Sequence, residues 1–426
     1  MRLEIHLDGT WHACAEVEPT TENSSLQGTV RIRYEADYAI QHLLARDYRA
    51  LSVRAPVDLG VRELPHWPSF LVDLLPQGAA RRRIERDAPA PQSPWMLLEH
   101  GAVNPVGNLR VHPAQPRIAP AEHPGFALQE MIERGDVFVD YALALGAAVA
   151  GATDTQGDAP KFWIVEDEYG KWHPDNGALA FRPRRYALLK FPVTEAGIRA
   201  EDILRHEAVY QKVAQRCGLR VTRELPTFSA GALLIPRFDR RIVGAREIRL
   251  GVESLYSVTG VIDSATSALR HDQALIALAR HVTDFPREFR EYVRRDLFNL
   301  ALGNRDNHGR NMALLKDVDG TIALAPIYDF GPAYLDARAI ARVIRWDGEA
   351  PGGGDWKSVG ERLDIRFEEA GLQPPASEFA AVAAETVVQL RTLPDLMREC
   401  AADAHVVDRR SPEIERLATA LGELGA

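Results

Sequence analysis

The loop GNRDNHGRN, at residues 303–311, places an aspartate five positions before an asparagine. These residues are Asp306 and Asn311, and Asp329 follows in the phrase IYDF. Phosphoryl transfer needs a carboxylate that accepts the proton of the attacking hydroxyl, and oxygen ligands for the Mg²⁺ that bridges the ATP phosphates. Asp306 suits the first task, and Asn311 and Asp329 suit the second. The spacing therefore predicts a kinase-type site, although an ordinary polar turn contains the same residue types.

The sequence on either side of this loop predicts the elements that hold it. Before it, TDFPREFREYVRRDLFNLAL has apolar residues at helical spacing, with Thr283 or Asp284 as a cap and Pro286 in the first turn. After it, the apolar runs NMALL and IALAPIY are separated by KDVDGT, whose Asp-Gly step indicates a hairpin. A strand over residues 324–328 is then expected to deliver Asp329 to the loop.

Composition sets the broad class of the protein. The chain has 426 residues, 46% hydrophobic and 26% charged, which is typical of a globular protein with more than one domain. A formal net charge of -9 argues against bulk nucleic-acid binding through a basic surface. The three cysteines, Cys14, Cys217 and Cys400, lack metal-site spacing and favour a reducing, cytoplasmic setting. No apolar stretch approaches the roughly 18 residues of a membrane span, so no membrane role is expected.

The order of the predicted elements indicates an α+β fold in three parts. Residues 1–115 read as short strands, turns and a helix, which form a small α/β subdomain. A proline-rich stretch at 114–126 is the expected linker. Residues 127–260 contain three strand-like runs with a helix inserted between the second and the third, and residues 261–426 are mainly helical. This is the order of a two-lobed, protein-kinase-like fold with a β-rich N-lobe and a helical C-lobe.

A nucleotide site needs a lysine for the ATP phosphates, and Lys190 ends the apolar run YALLK. A buried ammonium needs an anionic partner, and Glu207 in the following amphipathic helix is the candidate when ATP is absent. The alternative is that Lys190 caps a strand edge and Glu207 faces solvent. Backbone contacts to adenine are expected near Pro236, Arg237 and Phe238, although Phe238 equally fits a core position.

The segment GATDTQGDAPK, at residues 151–161, is the candidate phosphate-covering loop. Its two glycines allow the backbone to approach the phosphates closely, and Lys161 ends the segment. It lacks the GK[ST] of a Walker A loop, and a plain surface turn is compatible with the same pattern.

Taken together, these segments resemble the HipA-like serine/threonine kinase toxins. DLFNLALGNRDNHGRNMALL with LAPIYDF resembles the family's catalytic and metal-binding segments, ALLKFP its nucleotide-lysine strand, and LLIPRFDRR its hinge strand. ALSVRAPVDL, FLVDLLPQGAARRR and GNLRVHP resemble the small subdomain that full-length members carry before the kinase core. The resemblance extends over nearly the whole chain and implies a two-lobed kinase-like fold.

The resemblance also implies ATP and Mg²⁺ as cofactors and gives each matching residue a role. Asp306 would be the catalytic base, Asn311 and Asp329 would hold metal, and Lys190 would contact the phosphates. The other nucleotide-site residues would be Gln156, Gly157, Asp158, Ala159, Pro160 and Lys161 in the phosphate loop, and His308, Gly309, Arg310 and Tyr328 around the catalytic loop.

Partners follow from the same resemblance. Members phosphorylate a serine or threonine of a protein, with aminoacyl-tRNA synthetases the known target class. They act as toxins paired with a helix-turn-helix antitoxin that binds both the kinase and operator DNA. This sequence has no convincing helix-turn-helix, so operator DNA is expected to be bound mainly through a separately encoded antitoxin.

One position departs from the family pattern. Members often carry an autophosphorylated serine seven residues before the lysine of the phosphate loop, and here that position is Asp154. A carboxylate carries about half the charge of a phosphoserine and fewer acceptor oxygens. Thr153 and Thr155, which flank it, are then the candidate sites of self-phosphorylation.

Two other functions fit the same residues. A small-molecule phosphotransferase could share the constellation, because Asp306, Asn311 and Asp329 do not reveal the acceptor. The N-terminal subdomain favours a protein kinase instead. A degenerate kinase could act without catalysis through an antitoxin–operator complex, but all the predicted catalytic residues are present in this chain.

Overall fold

The structure is a computed structural model in which the chain forms two compact units. The first unit comprises Met1–Gly197, Pro226–Ile262 and Ala313–Ile322, and the second comprises Ile198–Leu225, Asp263–Met312 and Ala323–Ala426. The residues that the structure describes are 1–20, 25–76, 81, 84–86, 92–101, 104–112, 125–133, 138, 142, 161–175, 179, 181–192, 198–262, 269–336, 340–349 and 355–425. Within them, no helix is both long and apolar enough to cross a membrane.

A five-stranded antiparallel sheet, in the order β4-β3-β2-β1-β5, opens the first unit. Its strands are β1 (Arg2–Leu7), β2 (Thr10–Pro19), β3 (Val30–Tyr34), β4 (Val61–Leu64) and β5 (Leu109–His112), accompanied by helices α1 (Ala36–Gln41), α2 (Ser69–Asp73) and α3 (Pro94–Gly101). Burial alternates along β3, so one face of the sheet packs on a core and the other faces solvent. Leu3, Trp67 and Leu98 are fully buried in that core.

A second antiparallel sheet in the same unit has the order β7-β6-β8-β10-β9. Helix α4 (Leu128–Glu133) precedes its strands, which are β6 (Lys161–Asp167), β7 (Trp172–Pro174), β8 (Pro183–Lys190), β9 (Thr227–Ser229) and β10 (Ala232–Pro236). Helix α5 (Ile198–Arg216), which belongs to the second unit, is inserted between β8 and β9. Phe162, Leu189 and Phe191 pack in the core of this sheet. The three predicted strand-like runs are confirmed as β6, β8 and β10.

A hairpin, a pair of strands and a short helix complete the first unit. The hairpin is β11 (Arg240–Val243) with β12 (Arg246–Arg249). β13 (Gly251–Ser254), which α6 (Leu255–Thr259) follows, pairs antiparallel with β14 (Ala313–Lys316), a strand from much later in the chain. The turn after β14 is closed by the N–H of Asp317, which donates to the carbonyl of Thr321 (2.8 Å). Gly320 has φ 88 in this turn, which is the conformation for which the predicted Asp-Gly step is suited.

The strand after this turn is shorter than the sequence predicts. β15 (Ile322–Leu324) ends at Leu324, so the prediction of a strand over residues 324–328 is wrong. Pro326 has no N–H to contribute to a ladder. The N–H of Ile327 instead donates to the carbonyl of Arg220 (2.8 Å), and residues 325–328 run as irregular backbone.

The RFDR phrase forms a buried ion network within the first unit. Both oxygens of Asp239 accept from the guanidinium of Arg237 (2.8 and 2.7 Å), and Oδ2 also accepts from Arg240 (2.7 Å). The backbone N–H of Gly107 donates to the same carboxylate (2.8 Å), and Arg240 donates to the carbonyl of Pro105 (3.0 Å). Burial alone would raise the pKa of Asp239, but the two guanidiniums outweigh it and hold the pKa well below its usual range. The network fixes the segment before β5 to the residues that follow β10.

The second unit is mainly helical. After α5 it contains α7 (His271–His281), α8 (Phe285–Leu302), α9 (Trp356–Glu369), α10 (Ala376–Glu399) and α11 (Ala404–Gly422), with 3₁₀ turns at Ala333–Leu335 and Glu423–Gly425. The helix predicted before the polar loop is confirmed as α8. Its cap is Asp284, whose side chain accepts from the N–H of Arg287 (3.2 Å), and Pro286 lies in the first turn. The predicted apolar face, which includes Phe289 and Val293, is buried.

Candidate active site

The loop at residues 303–311 begins where α8 ends, at Gly303. This residue has φ 72, in the left-handed region that favours glycine. A Cβ there would also lie 2.7 Å from Cδ1 of Tyr334 and 3.0 Å from Cζ of Arg410. Both conformation and space therefore require glycine at the start of the loop.

The last carbonyls of α8 are capped by side chains from elsewhere in the second unit. Arg410 donates to the carbonyls of Leu300 (2.7 Å) and Ala301 (2.9 Å), and the hydroxyl of Tyr210 donates to that of Leu302 (3.0 Å). Helix C-termini leave such carbonyls without intrahelical donors, and a cation there also interacts favourably with the helix dipole. The chain thus enters the loop from a fixed position.

Two buried asparagines hold the first half of the loop. Asn304 bonds Asn299 through its backbone N–H and its side-chain amide (both 2.9 Å). Asn307 donates from Nδ2 to Oδ1 of Asp296 (3.0 Å). Asp306 lies between these anchors, so its backbone is held from both sides.

Asp296, on α8, is a fully buried carboxylate that accepts hydrogen bonds from three groups and lies against a fourth, His271. Oδ1 accepts from Asn307 and lies 3.2 Å from Nε2 of His271. Oδ2 accepts from Nη2 of Arg342 (2.7 Å) and from Nε1 of Trp346 (2.7 Å). Burial alone would raise the pKa of Asp296, but Arg342 and His271 outweigh it and hold the pKa well below its usual range. Asp296 is therefore an ionised anchor under the loop.

The amide of Asn311 is fixed in one orientation. Its Nδ2 donates to the backbone carbonyl of Asp306 (2.6 Å), and its own N–H donates to the carbonyl of His308 (2.9 Å). Oδ1 is buried, and nothing among the described residues donates a hydrogen bond to it. The side chain thus presents an oxygen whose direction is set by the loop itself.

His308 lies beside the carboxylate of Asp306. Its Nδ1 accepts from the N–H of Arg310 (3.2 Å), which places the ring proton of the neutral imidazole on Nε2. Nε2 is 3.7 Å from Oδ1 of Asp306. The side chain of Asp306 is 17% exposed, so the carboxylate remains accessible from solvent.

Asp329 follows the irregular segment in a strained conformation. Its φ is 47, and left-handed backbone is uncommon for a residue with a side chain, although aspartate tolerates it better than most. The hydroxyl of Tyr328 donates to the carbonyl of Arg310 (2.7 Å), which joins this segment to the loop. Strain of this kind persists where the surrounding contacts fix the backbone, and it is concentrated at functional sites.

Several side chains of the second unit hold the segment that leads to Asp329. The guanidinium of Arg220 pairs with both oxygens of Glu288 (2.7 and 2.8 Å) and donates to the carbonyl of Leu324 (2.6 Å). Glu288 in turn accepts from the N–H of Leu324 (2.8 Å), and Gln211 donates to the carbonyl of Ile327 (3.0 Å). Beyond the end of β15, these side-chain hydrogen bonds hold the backbone in place of strand pairing.

The two predicted phosphate lysines lie opposite each other in the first unit. Lys190 on β8 pairs with Lys161 on β6 and with Leu233 on β10, and it is 3% exposed. β8 has a neighbour on both sides, so Lys190 is not at a sheet edge. Glu207, on α5 of the second unit, is 7% exposed, which excludes a solvent-facing side chain. The pairing of Lys190 with Glu207 stays a prediction.

The predicted adenine-contacting residues are partly engaged in the fold. The N–H of Arg237 donates to the carbonyl of Tyr186 (3.0 Å), and Pro236 has none, so these two residues offer adenine only carbonyls. The contact with Phe238 stays a prediction. Residues 151–160, which include Thr153, Asp154, Thr155 and the phosphate-loop residues before Lys161, lie outside the described residues.

Sequence reasoning missed the residues that hold the site. The missed residues are Gln211, Arg220, Glu288, Asp296, Arg342, Trp346 and Arg410. A signal for two of them was present in α8, where Glu288 and Asp296 adjoin the apolar residues of the buried face. Charged side chains on such a face need buried partners. Those partners come from distant parts of the chain, so the sequence indicated that they exist but did not identify them.

The described residues form a mixed α/β protein, and the comparisons with known proteins show its family. Residues 150–392 match the family model of the HipA-like C-terminal domain, and this is more than half of the chain, so the protein belongs to that family. This confirms the resemblance that the motifs indicated.

The fold is similar to that of a solved toxin–antitoxin protein. In the complex of HipA, HipB and operator DNA from Shewanella oneidensis MR-1, the similar chain is 16% identical with a TM-score of 0.66, and the match covers 99% of this chain and 97% of that one. A proinflammatory kinase from Helicobacter pylori, CtkA, is 14% identical with a TM-score of 0.35, over 62% of this chain and 98% of that one. No curated protein sequence matches the chain.

Proposed function

We propose that the protein is an ATP- and Mg²⁺-dependent protein serine/threonine kinase. The observation that carries the proposal is the buried Oδ1 of Asn311, which the bond from Nδ2 to the Asp306 carbonyl holds in place. A buried oxygen that accepts no hydrogen bond is unfavourable and unusual in folded proteins. A hard cation is the ligand whose chemistry matches such an oxygen.

The donor set fits Mg²⁺. In nucleotide sites this ion uses one or two protein oxygens and takes its other ligands from phosphates and water. Asn311 supplies an amide oxygen and Asp329 a carboxylate, and the left-handed backbone of Asp329 is the kind of strain found at functional sites. When bound, Mg²⁺ would neutralise charge on the phosphoryl group that is transferred.

Asp306 serves as the base in this proposal. Its carboxylate accepts the proton of the acceptor hydroxyl, and His308 Nε2 lies 3.7 Å from it. Lys190 and Lys161 bind phosphate oxygens of ATP. The two lysines are directly opposite each other on β6 and β8, so one phosphate group can contact both. Residues 156–160 cover the phosphates.

We further propose that the kinase is the toxin of a toxin–antitoxin pair. Membership of the HipA-like family and the likeness to a HipA chain bound to HipB and operator DNA support this. The partner is a separately encoded helix-turn-helix antitoxin, which contributes most of the operator contacts. The target is a protein of translation such as an aminoacyl-tRNA synthetase, and the setting is cytoplasmic.

Labelled ATP tests the kinase activity. Purified protein, incubated with Mg²⁺, γ-labelled ATP and a bacterial lysate treated with phosphatase, is expected to transfer label to a protein band. Acid hydrolysis of that band is expected to release phosphoserine or phosphothreonine, and the Asp306→Asn variant is expected to give no band. Label confined to small metabolites would identify a small-molecule phosphotransferase, and no transfer at all would identify a degenerate kinase.

Growth tests the toxin role. Induction of the wild-type gene in a bacterial host without the antitoxin is expected to arrest growth, because phosphorylation of a translation protein stops protein synthesis. Asp306→Asn, expressed to the same level, is expected to leave growth normal. Equal arrest by both forms would contradict a toxicity that depends on catalysis.

A further inference from the structure

The side chain that follows the proposed base does not face solvent. Asn307 is 3% exposed, and its amide donates to Asp296 on α8 (3.0 Å), eleven positions earlier in the chain. Asp306 and Asn307 share a peptide group. The bond from Asn307 to Asp296 therefore tethers to α8 the backbone beside the Asp306 carboxylate, and without that bond this backbone has more freedom to move.

The anchor itself has little freedom. Asp296 is 0% exposed, and Arg342 and Trp346 bond its Oδ2 while His271 lies against Oδ1. Each of these partners is held in turn. Nδ1 of His271 pairs with the hydroxyl of Tyr292 (2.8 Å), the His271 ring stacks on Trp346 with centroids 4.5 Å apart, and Arg342 pairs with Glu349. The carboxylate is thus oriented by three groups that do not belong to the loop.

The arrangement is more elaborate than stability alone requires. A buried carboxylate that needs several partners is generally no more stabilising than an apolar side chain of similar size. What the ionised group adds is a fixed direction for one amide, because a hydrogen bond to a charged acceptor is stronger than one between neutral groups. That amide belongs to the residue beside Asp306.

We propose that Asp296 is a positioning residue for the phosphoryl-transfer reaction, acting through Asn307 to set where the Asp306 carboxylate lies. The inference rests on the proposed function of Asp306. Asp296 touches neither ATP nor acceptor in this proposal. It fixes the base so that the carboxylate is already in place when the acceptor hydroxyl arrives, and a misplacement of about 1 Å at a reacting group can lower the rate by roughly 10²-fold.

Asn307→Ala is the variant that isolates this link. It removes the bond from the loop and leaves Asp296 with its other three partners, whereas Asp296→Asn disturbs all four and is the harsher second variant. Thr386→Val is the matched control. Thr386, on α10, is 0% exposed, and its hydroxyl donates to the carbonyl of Val382 (2.7 Å). The valine variant loses this one buried hydrogen bond, which involves no residue of the candidate site.

The first measurement is the steady-state rate at which each variant phosphorylates the protein that the wild-type kinase labels. Asn307→Ala is expected to lower kcat about 10²-fold while the KM for ATP stays within about twofold, because ATP contacts are unchanged and only the base is displaced. Thr386→Val is expected to keep the wild-type kcat and KM, even if its melting temperature falls as much as that of Asn307→Ala. A kcat of Asn307→Ala equal to that of Thr386→Val would overturn the proposal.

Amide hydrogen exchange gives a second measurement that does not depend on activity. Peptides covering residues 303–312 are expected to exchange faster in Asn307→Ala and Asp296→Asn than in wild type, and at the wild-type rate in Thr386→Val. Unchanged exchange in Asn307→Ala would overturn the positioning role even with an active kinase. If wild type transfers no phosphate, the proposed function fails, and the exchange result still shows whether Asp296 holds the loop.

Discussion

Replacing Asp306 with asparagine is expected to lower kcat for phosphoryl transfer by about 10²–10⁴-fold, the usual contribution of a positioned base. Asparagine has nearly the same size, but its amide cannot accept the proton of the acceptor hydroxyl. The backbone carbonyl of residue 306 still accepts from Nδ2 of Asn311, so the loop keeps the hydrogen bond that orients the Asn311 side chain. ATP binding, measured by isothermal titration with Mg²⁺, is expected to stay within about threefold of wild type because no proposed phosphate contact is removed.

Asp408→Asn is the control for the change of charge. Asp408 is an exposed aspartate on α11, so the same substitution there removes the same charge from the surface without touching the loop. It is expected to retain wild-type kcat and KM. A variant at 306 that kept more than about a tenth of wild-type kcat would show that Asp306 is not the base.

The parts of the fold that were predictable carry their signals locally. For α8, the cap, the proline in the first turn and the apolar spacing all lie within about twenty residues, and the helix, which begins at Phe285 and ends at Leu302, agrees with them. The three strand-like runs of residues 161–236 were recognisable as apolar stretches of strand length. Local signals of this kind do not depend on the rest of the chain.

The strand expected over residues 324–328 shows where such a signal fails. The run IALAPIY is apolar throughout, and apolarity alone does not distinguish a strand from a buried irregular segment. Pro326 interrupts the ladder, and Arg220 and Glu288, more than 35 residues away in the chain, then determine the path of the backbone. The proline is visible in the sequence, but the hydrogen bonds with Arg220 and Glu288 that hold the backbone beyond the strand are not.

The same distinction applies to the site. Asp306 and Asn311 were predicted from their spacing, because one short loop contains both residues. The residues that orient this loop were not, since Arg410 lies more than 100 positions from the carbonyls that it caps, and Arg342 lies 46 positions from Asp296. The chemical groups proposed for the site are thus recognisable from a short stretch of sequence, whereas their orientation depends on contacts that form only when the chain folds.

Replacing Asn311 with alanine is expected to raise the Mg²⁺ concentration for half-maximal activity at least tenfold, roughly the cost of disturbing a metal site. The substitution removes the oxygen that we assign to the metal, and it also removes the donor to the Asp306 carbonyl. Activity measured at a fixed ATP concentration over a Mg²⁺ titration checks the shift. A loss of activity that is the same at every Mg²⁺ concentration would contradict a metal-binding role.

Asn311→Asp separates the two functions of this side chain. Aspartate keeps an oxygen for the metal but lacks the Nδ2 donor, so the 2.6 Å hydrogen bond to the Asp306 carbonyl is lost. If Oδ1 binds Mg²⁺, Asn311→Asp is expected to keep a half-maximal Mg²⁺ concentration near that of wild type, with a lower kcat because the loop is looser. If the side chain only braces the loop, both variants are expected to lose activity equally at all Mg²⁺ concentrations. The difference between the two titration midpoints therefore measures what the buried oxygen contributes, independently of the hydrogen bond that orients it.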